Sequence, residues 1–228
     1  MIADALRAML PPWVSVAASG INDRYPQVYA DEESTLKRAI PSRLIEFRAG
    51  RTAARLALQN LGWPPVALPV GDGRAPIWPQ GICGSISHSN GIAAAAVARD
   101  ERCAGLGIDL EIAADLPPDI AASVVFPADQ PRGSGLSRDL ANAVIFSVKE
   151  SIFKAQFPIT GAWIDFDAAS VILQPRKFTA QVGGVELDGI WDIQDGMLAS
   201  GLVVSLEQRL QFVSLLPDIM AGQNTTTR

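Results

Sequence analysis

The chain has 228 residues, 48% of them hydrophobic and 19% charged, with a formal net charge of −5. That balance suits a globular protein with a sizeable core in one large or two small domains, and the negative charge argues against nucleic-acid binding. A single histidine excludes a multi-His metal centre, and no apolar run is long enough to span a bilayer. No membrane association is therefore expected.

Near the start, Asp4, Arg7 and the Pro11-Pro12 pair break the apolar run that a signal peptide needs, so a cytoplasmic protein is expected. The first confident element is a helix over 41–62, with Ser42 as N-cap and Gly62 as the stop. Its apolar side is read as Ile45, Ala49, Thr52 or Ala53, and Leu56. Arg48, Arg51 and Arg55 recur on another side, with Arg43 at the entrance. Those arginines form either a solvated charged face or the basic edge of a site.

Residues 63–84 contain too much Pro and Gly for a long regular element and read as a loop of functional length. The loop delivers SISH (85–88) and then the buried apolar run GIAAAAVAR (91–99), with a turn at 100–102. The two cysteines, Cys83 and Cys103, are too few and too far apart for a CxxC metal site or a disulfide framework. They read as small buried hydrophobes of a reduced compartment. In CAGLGIDLEI (103–112), strand parity puts Ile108, Leu110 and Ile112 on one face and Gly107, Asp109 and Glu111 on the other.

The stretch 115–137 reads as a connection with one short helix and as a boundary region. A second helix spans 138–157, with Ala141, Val144, Ile145, Val148, Ile152 and Ala155 as its apolar stripe. Phe146, Glu150, Phe153, Lys154 and Phe157 fall on another side, so the helix is central; Phe157 and Trp163 read as core. The remainder, DFDAASVILQ, FTAQVGGVEL, GIWDIQDG and MLASGLVVSLE, reads as antiparallel strands separated by turns. The order of elements indicates an α+β fold in two halves of similar content.

Chemically, the chain lacks a P-loop, a dinucleotide fingerprint, a nucleophile elbow and an HExxH pair. His88 sits in the Gly-rich segment GSISHSNG, where it is either structural or part of a site. Asp109 and Glu111, at i and i+2 of a strand, point the same way with Cα atoms about 6.5–7 Å apart, a spacing that suits a hard cation such as magnesium. Glu150 and Lys154 are one helical turn apart and form either a surface ion pair or a pair held among aromatics for a purpose. Carboxylates, lysines, an arginine-edged helix and a Gly-rich loop together describe a phosphate site.

GIDLE (107–111) followed by FSVKESIFKA (146–155) resembles the paired signature of the 4'-phosphopantetheinyl transferases. FRAGRTAARLAL (47–58), VGDGRAPIWPQG (70–81) and GSISH (84–88) are similar to upstream segments of the Sfp-type group, in particular the branch containing the enterobactin synthetase component D. The resemblance implies two α+β halves, 1–112 and 113–228, related by pseudo-twofold symmetry, with coenzyme A and magnesium in the cleft between them. It implies transfer of 4'-phosphopantetheine from coenzyme A to a serine of an apo acyl or peptidyl carrier protein, releasing adenosine 3',5'-bisphosphate. The pathway class it suggests is secondary metabolism, with siderophore or polyketide synthesis as examples.

Position by position, the resemblance makes Asp109, Glu111 and Glu150 the magnesium ligands, joined by the Leu110 carbonyl, and Glu150 the base for the carrier serine. Lys154 assists the leaving group, with Lys149 nearby; Ser87, His88, Arg43 and Arg51 contact the coenzyme A phosphates. Gly73 stands where relatives often carry a lysine, and Arg74 beside it is the candidate replacement. Two halves within one chain imply a monomer. The competing readings are a magnesium-dependent pyrophosphate hydrolase and a catalytically silent carrier-binding protein.

Overall fold

The computed structural model describes residues 2–21, 29–33, 36 and 39–223. In chain order these form α1 (Ile2–Met9), β1 (Ser15–Gly20), α2 (Ala30–Glu33), α3 (Pro41–Asn60), β2 (Ile82–Ser89), β3 (Ile92–Arg99) and β4 (Gly105–Ile112). Then follow α4 (Pro118–Val124), α5 (Arg138–Thr160), β5 (Ala169–Gln174), β6 (Lys177–Val182), β7 (Val185–Gln194), β8 (Met197–Val204) and α6 (Leu206–Gln223). The strands make two antiparallel sheets, ordered β1-β3-β2 and β4-β8-β7-β6-β5. The fold is α+β, as expected. Among the described residues no helix is long and apolar enough to cross a membrane.

Helix α3 covers the three-stranded sheet. Pro41 occupies its first turn and Ile40 is its N-cap without a side-chain bond, so Ser42 is not the cap. Proline suits that position because its missing N–H has no helical partner there. At the other end Gly62, at φ +78°, closes a Schellman motif through Gly62 N–H to Gln59 O and Trp63 N–H to Leu58 O. Ala53, Ala54, Ala57 and Leu58 pack on Ala95 and Val97 of β3. Leu56, expected on the inner face, is instead 40% exposed, as is Ile45 at 39%.

Helix α5 covers the five-stranded sheet. Ser137 caps it by accepting the Leu140 N–H, and Gly161 ends it at φ +64°. The helix runs past the expected end at 157 and through Pro158. All six residues of its expected stripe are buried against β5–β8. At Gly105 and Gly107 a Cβ would run into the Ala155 and Ser151 carbonyls, so glycine alone lets β4 pass directly beneath this helix.

Two-residue turns with positive φ at both positions join β2 to β3 (Asn90, Gly91), β6 to β7 (Gly183, Gly184) and β7 to β8 (Asp195, Gly196). This is the geometry that matches strand twist in tight hairpins. Asp188-Gly189 is not a turn. It lies within the ten-residue β7, where the Phe178 ring covers Gly189 and leaves no room for a side chain. Helices α1 and α6 and strand β1 lie outside the elements read from the sequence, although Ala5, Leu6 and Met9 mark an apolar face on α1. Leu6 and Met9 join Val16 of β1 and Met197 and Ala199 of β8 in one buried cluster with Ile108 and Leu110.

The two sheets meet edge to edge at β2 and β4. No backbone ladder joins these strands; Ser85 Oγ accepts the Ile108 N–H and Ser87 Oγ accepts the Leu110 N–H, each at 3.1 Å. The same seam brings Cys83 and Cys103 together, with sulfurs 3.1 Å apart, which corrects their expected separation.

Candidate active site

A cavity of about 780 Å³ opens along this seam. Its walls come from α3 (Arg43, Glu46, Phe47, Arg51), the loop before β2 (Gly73, Arg74, Trp78), β2 (Ser85, Ser87, His88), β4 (Asp109, Glu111) and α5 (Phe146, Glu150, Phe153, Lys154, Phe157). Most residues expected at a site from sequence therefore share one space. Charge is unevenly divided within it: the arginines stand on α3 and the loop, with Glu46 beside Arg43, whereas Asp109, Glu111 and Glu150 stand on β4 and α5 with Lys154 among them.

Asp109 is the most enclosed of the acids, at 3% exposure. Its Oδ1 accepts from Lys154 Nζ at 2.6 Å and from Ser87 Oγ at 3.0 Å, and its buried Oδ2 has no partner within the protein. An unpaired carboxylate oxygen is expensive to bury, and a bound cation relieves that cost. Burial, the neighbouring Asp109 and then Glu150 raise the Glu111 pKa to about 7 against the pull of Lys154. Burial also raises Glu150, Lys154 opposing it and Asp109 reinforcing it. Three carboxylates share one lysine, so the group lacks positive charge. Hard oxygen donors in such a deficit fit magnesium, although the described acids do not converge into a preformed cluster of three ligands.

The Ser87 hydroxyl is fully committed. It accepts from Leu110 N–H and Lys154 Nζ, both at 3.1 Å, and donates to Asp109, which uses its one proton and two lone pairs. Leu110 itself points the other way, into the core with α1. His88 Nε2 lies 2.9 Å from Arg43 Nη1; arginine can only donate, so the ring is neutral with its proton on Nδ1. Burial lowers its pKa, Glu46 opposing and Arg43 adding to the shift.

Arg51 and Arg55 of α3 are not a solvated face, whereas Arg43 at the helix entrance is exposed. Arg51 is 5% exposed, donates Nε–H to Leu68 O at 2.8 Å and lies 4.4 Å over the Phe47 ring; burial pushes its pKa down to about 10. Arg55 pairs with Glu32 at 2.6 Å, outside the cavity wall. Arg74, at φ +64°, lies exposed on the loop that borders the cavity.

Lys149 is a correction. It is buried and donates to Asp129 Oδ2 at 2.7 Å, Phe166 O at 2.8 Å and Val124 O at 2.9 Å, away from the cavity. One step along a helix turns a side chain by about 100°, so Lys149 and Glu150 cannot share a face. Trp163, read as core, is 59% exposed and meets the Phe153 ring edge-on at 4.8 Å. Phe157 is half-buried and lines the cavity instead.

Sequence reasoning also passed over Glu46 and Trp78. Glu46 lies one turn after Arg43 and 3.3 Å from it, and this i,i+3 spacing was a usable signal. Trp78 lines the cavity with a buried indole N–H that has no protein partner; its loop position carried no signal.

The family model described as the 4'-phosphopantetheinyl transferase N-terminal domain matches residues 31–98, and that of the 4'-phosphopantetheinyl transferase superfamily matches 105–196. The chain is 36% identical over 219 residues to the 4'-phosphopantetheinyl transferase Svp of Streptomyces mobaraensis, covering 88% of this chain and 89% of that one. The chain belongs to the 4'-phosphopantetheinyl transferase superfamily. It is also 32% identical to the transferase Npt of Nocardia iowensis over 78% of this chain and 91% of that one. Identity to enterobactin synthase component D of Escherichia coli O157:H7 is 36%, over 59% and 66%. The break between the superfamily's two matches, 98 to 105, falls on the turn between β3 and β4, where the chain leaves one sheet for the other.

Proposed function

We propose that this chain moves the 4'-phosphopantetheine arm of coenzyme A onto a serine hydroxyl of an apo acyl or peptidyl carrier protein. The observation that carries this reading is the shared cavity, lined by three arginines suited to phosphates and by Asp109, Glu111 and Glu150, with one Asp109 oxygen bare and buried. The carrier serine oxygen bonds to the β-phosphorus, the bridging P–O bond breaks, and adenosine 3',5'-bisphosphate leaves with the α-phosphate.

Asp109, Glu111 and Glu150 would hold magnesium, with Leu110 between the first two contributing only backbone. When bound, such an ion supplies charge neutralisation on the pyrophosphate oxygens. Arg43, Arg51, Arg74 and neutral His88 receive the phosphates. Glu150, its pKa raised by burial, is suited to take the serine proton near neutral pH. Lys154 places its ammonium against charge developing on the leaving oxygen. Ser87, with no proton left to donate, holds Asp109 and Lys154 in place.

Both halves wall the cavity, so one chain carries a complete site and a monomer suffices. We place the division between the halves at the 100–104 turn, before the expected 112, because β4 is laddered to β8. The experiment is incubation with coenzyme A, magnesium and a panel of apo carrier proteins, followed by intact carrier mass. Gain of the phosphopantetheine mass supports the reading. Release of adenosine bisphosphate without a modified carrier would replace it with pyrophosphate hydrolysis.

A further inference from the structure

Three alternate residues of β2 face the β4 side of the seam. Ser87 and Ser85 bond to Leu110 N–H and Ile108 N–H, and Cys83, two residues further back, meets Cys103 just before β4 begins. The third rung is sulfur on sulfur, at 3.1 Å. A disulfide bond is about 2.05 Å, so the two atoms need close by only about 1 Å. We propose that Cys83 and Cys103 are a redox-responsive dithiol whose internal disulfide staples β2 to β4, and hence one sheet to the other.

The two thiols differ in a way that assigns their roles. Cys83 is half-buried and reachable, whereas Cys103 is fully buried. Exposure makes Cys83 the sulfur that an oxidant reaches first, and the hydrogen bond between the two thiols lowers the Cys83 pKa and raises that of Cys103, which favours the same order. With hydrogen peroxide, the Cys83 thiolate attacks one peroxide oxygen and releases hydroxide, leaving a sulfenic acid. The Cys103 sulfur then bonds to the Cys83 sulfur, and the sulfenic oxygen departs as water with the Cys103 proton. Two thiols and one peroxide become one disulfide and two waters, and a thiol reductant reverses the step.

Cys83 is about 13 Å along the strand from Ser87, so the staple closes the seam at the end away from the carboxylates. It ties together elements that otherwise rest on side-chain hydrogen bonds, and it closes the β2–β3 hairpin into a loop. Oxidation should therefore raise the melting temperature by roughly 5–10 °C.

The test treats the full chain with hydrogen peroxide or oxidised glutathione and measures intact mass, iodoacetamide-reactive thiols and melting temperature. Trypsin cuts at Arg99 and Arg102 and so separates the two cysteines into different peptides. The expected result is a loss of about 2 Da, no reactive thiol, a linked peptide pair released by dithiothreitol, and the higher melting temperature. Cys83→Ser should abolish all four, and Cys103→Ala should do the same; if the buried change prevents folding, Cys83→Ser carries the comparison. Two thiols still titratable in excess oxidant, a mixed glutathione adduct alone, or a cross-linked dimer would overturn the proposal. None of these measurements depends on carrier modification.

Discussion

Lys154 Nζ stands 2.6 Å from one oxygen of Asp109 while the other oxygen of the same carboxylate is buried without a partner. A divalent cation bound at the proposed site would therefore share this acid with the lysine. Lys154→Met should tighten magnesium binding several-fold while lowering kcat/KM for transfer by roughly 100-fold. Isothermal titration and the carrier mass assay read the two effects. Weaker magnesium binding in the variant would show that the lysine does not compete.

Glu150→Gln keeps shape and hydrogen bonding but cannot accept a proton. Transfer should fall by about 100- to 1,000-fold with coenzyme A binding retained within a few-fold. Turnover equal to that of the parent chain would remove Glu150 as the base.

The Glu111 carboxyl is held near 7, against 4.5 for an ordinary glutamate. With the folded pKa raised, the folded state keeps the proton more firmly, so stability falls as pH rises from about 4.5 to about 7. In protein treated with chelator, denaturant midpoints should decline across that window. Glu111→Gln should flatten the decline, and added magnesium should restore stability at its upper end.

Lys149 and Asp129 have side chains 1% and 0% exposed. Removing the lysine leaves Asp129 charged inside the protein, although its oxygens still accept Phe126 and Val171 N–H groups. Lys149→Met should cost about 3–5 kcal/mol in urea unfolding. The KM for coenzyme A should not change; a rise without loss of stability would return Lys149 to the site.

Gly73 lies at φ +58°, and a Cβ there would come within 2.5 Å of the Phe157 ring. A lysine at this position therefore requires the Phe157 ring above it to shift. Gly73→Lys should displace the loop and weaken coenzyme A binding. Adding Phe157→Ala should recover much of the affinity, and an additive double variant would show that the two positions are not coupled.

Local patterns carried much of this structure. The stripe along α5 follows from a period of 3.6 and the pairing of Asp109 with Glu111 from a period of two, both properties of a single segment. The positive-φ hairpins follow from Asn90-Gly91, Gly183-Gly184 and Asp195-Gly196, because few other residues adopt that backbone. Such features need no knowledge of what lies across the chain.

Other features exist only once distant segments meet. Arg51 is buried because the loop carbonyl of Leu68 and the Phe47 ring enclose it, although its spacing is that of a surface charge. Lys149 turns inward because Asp129 waits beyond α4. Ser87 loses its free proton, and Cys83 finds Cys103, because two sheet edges are laid side by side. The sequence by itself determined which residues could bind phosphate and cation, since charge type and strand or helix parity are written locally. Tertiary structure decided which of them share the cavity, because contacts between sheets depend on packing and not on spacing along the chain.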